Sequence, residues 1–245
     1  MTRTKKLDSE QPKRRIYLII VLILGIILAL FSGATLAYFT DTSTSSVDLG
    51  LSAYKPQIVL TETWDPNAGK DYKAGQVMKK VPTIKNTGVE SYVRIRIRIV
   101  DNDTNERITD TNRLNLILQT LRYDPSNTLG SPDTGRATTT KTAADMASIP
   151  HFNTDFTDAS ASNPAGLYTY EYVANNGLVP TGTSLTLFTT VAIPADYTSD
   201  DLALMGNYRI DIWGEAVSSA GITSISTAMS ALDTTYPVSS VADPS

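Results

Sequence analysis

The sequence predicts an all-β protein, an antiparallel jelly roll or β-sandwich with one or two short helices, preceded by an N-terminal signal helix. Two observations predict the β class. Several segments alternate apolar and polar residues with a period of two, which places one face of a strand in a core. Short turns led by Asn or Pro and closed by Gly separate these segments, and apolar residues at helical spacing are few.

The N-terminus has the three parts of a secretory signal. Basic residues between Lys5 and Arg15 come first, followed by an uncharged apolar run over 16–31 and then by small residues up to Ala37. We expect a signal peptidase to cut between Ala37 and Tyr38. The alternative is an uncleaved membrane anchor, because the run extended to Phe39 is just long enough to span a bilayer.

We divide the chain into four parts. No linker of distinct composition divides the sequence after the signal, so we expect one domain there. The parts are a signal peptide (1–37), a mature N-terminal strand (38–52), a β-sandwich domain (53–220) with a long polar insertion at about 124–166, and a flexible C-terminal tail (221–245).

Charge and cysteine content limit the classes of function. Six of the 21 basic and two of the 25 acidic residues lie in 1–37, so the rest carries 15 basic and 23 acidic residues, a net charge of −8. Nucleic acid or an anionic membrane surface would be repelled by such a chain. There is no cysteine, so an exported form must be stabilised by its core, by a metal or by assembly rather than by disulfides.

The alternating segments give the predicted strands. The most regular is 92–99, in which Val and Ile alternate with Arg. The other predicted strands are 47–53, 57–61, 76–84, 167–173, 185–193 and 208–216. Helical spacing predicts a helix over 111–121 with Asp110 or Thr111 as its N-cap, and a single turn after Thr198.

The sequence contains no recognisable catalytic or metal-binding constellation. The only histidine, His151, has no partner motif, and we interpret it as structural. The acidic segment 101–106 is similar to the first half of a calcium loop, but Glu106 stands where such a loop needs glycine and Asn112 where it needs a bidentate glutamate. We predict no enzyme activity, no cofactor and no metal.

Three arginines, Arg94, Arg96 and Arg98, form a charge row on one face of the strand over 92–99. Like charges in a row repel unless carboxylates lie opposite them. We expect a solvated face with intramolecular pairs, and Asp211 and Glu215 are the candidate partners. The alternative partner is an acidic surface on a neighbouring subunit.

Five short segments of the chain carry recognisable motifs. They are the junction 33–41 (GATLAYFTD), the first strand 47–51 (VDLGL), the central pair 80–88 (KVPTIKNTG) and 92–95 (YVRI), and the closing strand 210–217 (IDIWGEAV). In content and in order these motifs resemble the TasA/camelysin family of Gram-positive bacteria. The segment from about 120 to 165 matches nothing in the family.

The resemblance implies a secreted jelly-roll subunit of biofilm matrix fibres, processed by a SipW-type signal peptidase. In such fibres the mature N-terminal segment is donated as a strand to the next subunit. Here Tyr38, Phe39, Val47 and Leu49 would be its anchors, and 40–46 a flexible polar joint. The alternative is that Tyr38 and Phe39 pack within a monomer.

The expected partners are copies of the chain itself, the SipW-type peptidase and other matrix components, with no nucleic acid and with a membrane only through an uncleaved signal. The expected location is extracellular matrix or cell surface. Two alternative functions are a camelysin-like cell-surface metallopeptidase and a membrane-anchored surface adhesin. Some family members carry the peptidase label, but the sequence has no recognisable zinc site, and we do not transfer that activity.

Overall fold

The computed structural model describes residues 40–42, 55–64, 69, 72–130, 137–241 and 243; for 40–42, 137 and 138 it describes the backbone alone. Twelve strands are present in these residues. They are β1 (Thr40–Thr42), β2 (Ile58–Trp64), β3 (Gln76–Asn86), β4 (Ser91–Asp101), β5 (Leu121–Arg122), β6 (Ala137–Thr138), β7 (Phe156–Asp158), β8 (Leu167–Tyr172), β9 (Leu178–Val179), β10 (Ser184–Thr186), β11 (Thr190–Ala192) and β12 (Tyr208–Ser218).

The strands form two antiparallel sheets. The first has the order β1-β12-β4-β8-β7, and β9 also pairs with β4. The second has the order β10-β3-β11-β5, and β2 and β6 also pair with β3. The inner faces of both sheets contribute to one hydrophobic core, as in a β-sandwich. The prediction of a mainly antiparallel β protein is confirmed.

The longest pairing joins β4 and β12 over eleven residues, from Ser91 opposite Ser218 to Asp101 opposite Tyr208. Because the side-chain period of a strand is two, this register fixes which residues share a face. Val93, Ile95 and Ile97 are buried in the core between the sheets. The arginine row lies on the outer face of the same strand.

One predicted strand is divided. The prediction over 185–193 corresponds to β10 and β11, which lie on one side of β3 in a single register, with Ser184 opposite Lys85 and Thr190 opposite Lys79. The strand is interrupted at residues 187–189, where Leu187 and Phe188 are fully buried. The sequence does not reveal this interruption, because the apolar residues of 185–193 are buried before, within and after it.

Helices are more numerous than the predicted one or two. The described residues contain α1 (Thr111–Thr120), α2 (Ala143–Met146), α3 (Ser199–Met205), α4 (Ile225–Thr235) and α5 (Val238–Val241), together with two 3₁₀ turns, Ser160–Ser162 and Ala174–Gly177. The predicted α1 is confirmed with Asp110 as its N-cap, and α3 begins with a capping box of Thr198 and Asp201.

The expectation of a flexible tail after Gly221 is corrected by α4. Ser224 caps this helix, and Ala228, Met229 and Leu232 are buried against Tyr92 and Val217 on the outer face of the first sheet. The contacting residues are spaced by one, three and four, which is the pattern of an amphipathic helix. The many Ser and Thr residues around them hid this short apolar stripe in the sequence.

The polar insertion is also more ordered than expected. Its strand β6 pairs with β3, and its strand β7 pairs with β8. Leu129 and Met146 are buried with Val77 and Ala192 in a small separate cluster. Single buried apolar residues therefore attach the insertion to the rest of the domain at a few points. They follow no periodic pattern, so the sequence did not predict them.

Candidate functional site

The outer edge of β12 is only partly paired. β1 pairs with Glu215, Ala216 and Val217, with Thr42 opposite Glu215. In the part of the chain that the structure describes, no strand pairs with this edge over residues 208–214. An edge of this kind presents free N–H and C=O groups that a further strand can bond.

A cavity of about 460 Å³ opens beside this free edge, between the two sheets. We call it the edge slot. Its apolar part is formed by Trp64 of β2, Met78 of β3, Val191 of β11, Tyr72, and Tyr208 and Ile210 of β12. All but Met78 and Val191 are only partly buried, although each belongs to or packs against the main core. The slot therefore has apolar walls on the open side of the sandwich.

The polar groups of the edge slot are held in place by contacts between its walls. Lys80 Nζ lies 2.5 Å from the Glu62 carboxylate and 4.9 Å from the centre of the Trp64 ring. The Tyr72 hydroxyl donates a 2.6 Å hydrogen bond to the Gly206 carbonyl, and its ring meets the Tyr208 ring edge-on. These contacts join β3 to β2 and join Tyr72 to the residues that precede β12.

Beyond the slot, the two sheets approach each other closely at Gly214. A Cβ atom at Gly214 would lie 2.4 Å from Ile84 Cδ1 and 2.9 Å from Ile58 Cδ1. On β12 the slot is lined by residues 208–211 and does not reach Gly214.

The outer face of the same edge carries a group of three charged residues, Arg98, Arg209 and Asp211. Asp211 is shared by two guanidinium groups, at 2.9 Å from Arg98 and 3.0 Å from Arg209. Arg209 also donates to the side-chain oxygens of Asn102 and Asn105. One carboxylate thus faces two cations in this group, and more than a third of the Arg209 side chain is exposed.

The predicted pairs of the arginine row are present. Arg94 Nε lies 2.5 Å and Arg96 Nε 3.5 Å from the carboxylate of Glu215. Arg98 pairs with Asp211 as expected. The expectation that the face is solvated is wrong for Arg94 and Arg96, which are 1 % exposed.

The cause of that burial is α4, which covers the outer face of β4 and β12. From this helix Asp233 lies 2.5 Å from Arg94 Nη1 and 3.7 Å from Arg96 Nη2, while its own side chain is 63 % exposed. Burial lowers the pKa of Arg96, and the Glu215 carboxylate opposes that shift. Arg94 Nη2 and Arg96 Nη1 find no hydrogen-bond partner among the described residues.

His151 lies beside a cation rather than in a catalytic group. The Arg122 guanidinium contacts the imidazole directly, and the Leu118 and Leu121 carbonyls lie 3.1 Å from Nδ1. Burial, and next the charge of Arg122, lower the pKa of His151. His151 is exposed, and the centre of its ring lies 6.4 Å from that of Phe152.

The acidic segment 101–106 forms a turn. Asp101 accepts bonds from the Asp103 and Thr104 amides and pairs at 2.6 Å with Arg113, and these bonds hold its pKa at about 2. Within the described residues, no group of three or more His, Asp or Glu side chains is placed to hold a metal ion.

The predicted cleavage and anchor residues, Ala37, Tyr38, Phe39, Val47 and Leu49, lie outside the described residues. The joint predicted over 40–46 is described only at 40–42, where it is a strand paired with β12 of its own chain. Sequence reasoning did not find the edge slot. The one available signal was a pair of aromatic residues, Tyr208 at the start of a predicted strand and Trp64 three residues after the end of another.

No helix in the described part of the chain has the length and apolar content needed to cross a bilayer. The chain was compared with models of protein families, with curated proteins and with solved structures, and nothing matched it.

Proposed function

We propose that this chain is a secreted structural protein whose subunits join into extracellular matrix fibres by donating an N-terminal strand. The strand of one subunit occupies the edge slot and the free edge of β12 in the next. A SipW-type signal peptidase releases the donor by cutting between Ala37 and Tyr38. The jelly-roll topology and the signal helix that the resemblance implies belong to the same proposal.

The observation that carries the proposal is the match between the slot and the sequence that follows β1. Thr42 lies opposite Glu215 in an antiparallel pair, so each further residue along the donor falls one residue earlier on β12. In that register residue 47 falls opposite 210, and residue 49 opposite 208. Val47 and Leu49 would then meet Ile210 and Tyr208, the two β12 residues that form the apolar wall.

The larger apolar residues of the donor fall where the cavity lies. Val47 and Leu49 would be opposite Ile210 and Tyr208, which line the cavity, and the small residues Ser43 and Ser45 would be opposite Gly214 and Ile212, which do not line it. A slip of one residue would turn Asp48 inward and Val47 and Leu49 outward, so burial of the apolar residues fixes which face of the donor points into the slot.

Exchange between subunits uses the same contacts as pairing within one chain. β1 pairs with β12 of its own chain in the structure, and a second copy can supply the same segment in the same register. Because donor and slot are different surfaces, each subunit donates at one side and accepts at the other. Such a heterologous contact does not close on itself and builds a filament.

Removing the donor tests this proposal. We expect the mature protein, which begins at Tyr38, to polymerise, and a variant that lacks 38–51 to stay monomeric, because the free edge then has nothing to bind. Pelleting and electron microscopy measure assembly. A full-length mature variant with Val47→Ser and Leu49→Ser is the matched control for chain length and should also fail. If the shortened protein polymerised as well as the mature one, strand donation would be excluded.

A further inference from the structure

We infer that Arg209 selects the register and direction of the incoming strand through an ion pair with Asp48 of the neighbouring subunit. The inference rests on the proposed strand donation. The ion pair would lie on the outer face of the free edge, whereas the apolar anchors Val47 and Leu49 would occupy the slot on the inner face.

The position of Asp48 follows from the pairing of β1. Thr42 is opposite Glu215, so the residue six places after Thr42 is opposite the residue six places before Glu215, which is Arg209. Residues directly opposite in an antiparallel pair project to the same side of the sheet. Thr42 and Glu215 share the outer face, and Asp48 and Arg209 would therefore share it too.

In the group formed by Arg98, Asp211 and Arg209, one carboxylate serves two cations. Arg98 and Arg209 both bond to Asp211, whose two oxygens are occupied, one by each guanidinium. The remaining Arg209 contacts are neutral amide oxygens, with Asn105 at 2.7 Å and Asn102 at 3.4 Å. A neutral amide is a weaker partner for guanidinium than a carboxylate is.

Asp48 is the only charged residue between Thr42 and Leu51. The other positions in this register that share the outer face are Thr44 opposite Trp213 and Ser46 opposite Asp211, and neither of these residues carries a charge. A strand that is shifted by two residues keeps its apolar side inward but moves Asp48 opposite Asp211 or position 207. The charge pair thus distinguishes registers that the apolar pattern alone does not separate.

Charge reversal tests the pair. In the mature protein, Arg209→Asp and Asp48→Arg should each raise the critical concentration for assembly about tenfold, because each puts like charges opposite. Combining the two in one chain restores a pair of opposite sign at every junction and should return assembly to near the wild-type level. High salt should reduce all of these differences.

Mixing the single variants adds a directional readout. Asp48→Arg subunits should add to filament ends formed by Arg209→Asp subunits faster than to wild-type ends. Lys85→Asp is a matched control, since it makes the same change of charge at an exposed residue of β3 that does not line the slot, and it should leave the critical concentration unchanged. Thermal unfolding of each monomer shows whether the variant is folded.

The outcomes separate the inference from the proposed function. Loss in both single variants with recovery in the double variant supports the pair. Wild-type assembly with no effect of either single variant, or with no recovery in the double variant, overturns the pair and leaves strand donation standing. If the wild-type mature protein forms no filaments at all, the proposed function fails, and the inference fails with it.

Discussion

Replacing Glu215 with alanine is expected to destabilise the fold by about 3–5 kcal/mol, the cost of leaving a buried charge without its partner. Glu215 is fully buried, and its carboxylate faces both Arg94 and Arg96. It also accepts a hydrogen bond from the Trp213 ring. Without it, two buried guanidinium groups would depend on Asp233, which is mostly exposed. Chemical denaturation at neutral pH measures the change.

Two further variants test whether the loss of stability comes from leaving the buried arginines without a carboxylate. Glu106→Ala removes a carboxylate from an exposed turn and should change stability by no more than about 0.5 kcal/mol. Replacing Arg94, Arg96 and Glu215 together by leucine should recover much of the loss, because an apolar group of similar volume replaces a buried ion pair at little cost. A loss below about 1 kcal/mol in Glu215→Ala would show that the cluster is hydrated.

Ile210→Arg is expected to abolish assembly, with a critical concentration raised by at least about a hundredfold. The substitution places a cation in the apolar wall that the donor must cover, and burying an unpaired charge costs several kcal/mol. In the monomer the effect should be small, because Ile210 is only half-buried and the arginine can extend to solvent. Light scattering against concentration measures assembly, and thermal unfolding measures the fold.

Val59→Arg is the matched control for this change. Val59 is 46 % exposed on β2, in the strand that contributes Trp64 to the slot but on its solvent side. The control should assemble like the wild type. Equal effects of Ile210→Arg and Val59→Arg would show that the slot has no special part in the contact.

The sequence predicted the β class because the pattern of β4 and β12 is local and strict. Alternation of Val and Ile with Arg defines the two faces of β4 without any knowledge of its neighbours. Even the partners Asp211 and Glu215 could be proposed, since charges on a strand face need opposite charges nearby. The register that makes them partners is tertiary information.

The sequence did not predict two features: the helix that covers the outer face of the first sheet, and the cavity beside the free edge of β12. The arginine row was expected to be solvated because strands with one charged face commonly face water. The structure covers that face with α4, whose three buried residues are a weak pattern in a Ser/Thr-rich segment. The edge slot depends on which strand edge is unpaired and on where the distance between the two sheets increases. Both are tertiary properties that no local sequence pattern predicts.

Disulfide trapping shows whether the strand in the slot comes from another subunit. The chain has no cysteine, so introduced thiols have no native competitor. One variant carries Val47→Cys and the other Ile210→Cys, residues that lie opposite each other in the proposed register, at a distance a disulfide can bridge. Ser46→Cys replaces Val47→Cys in the control, because residue 46 is uncharged and its side chain would project to the other face.

The two cysteine variants are mixed as mature proteins, allowed to assemble, oxidised and separated without reductant. We expect a disulfide-linked dimer of one variant with the other in the Val47→Cys and Ile210→Cys mixture, and little in the Ser46→Cys control. Filaments that contain no such dimer, or as much of it in the control, would contradict strand exchange in this slot.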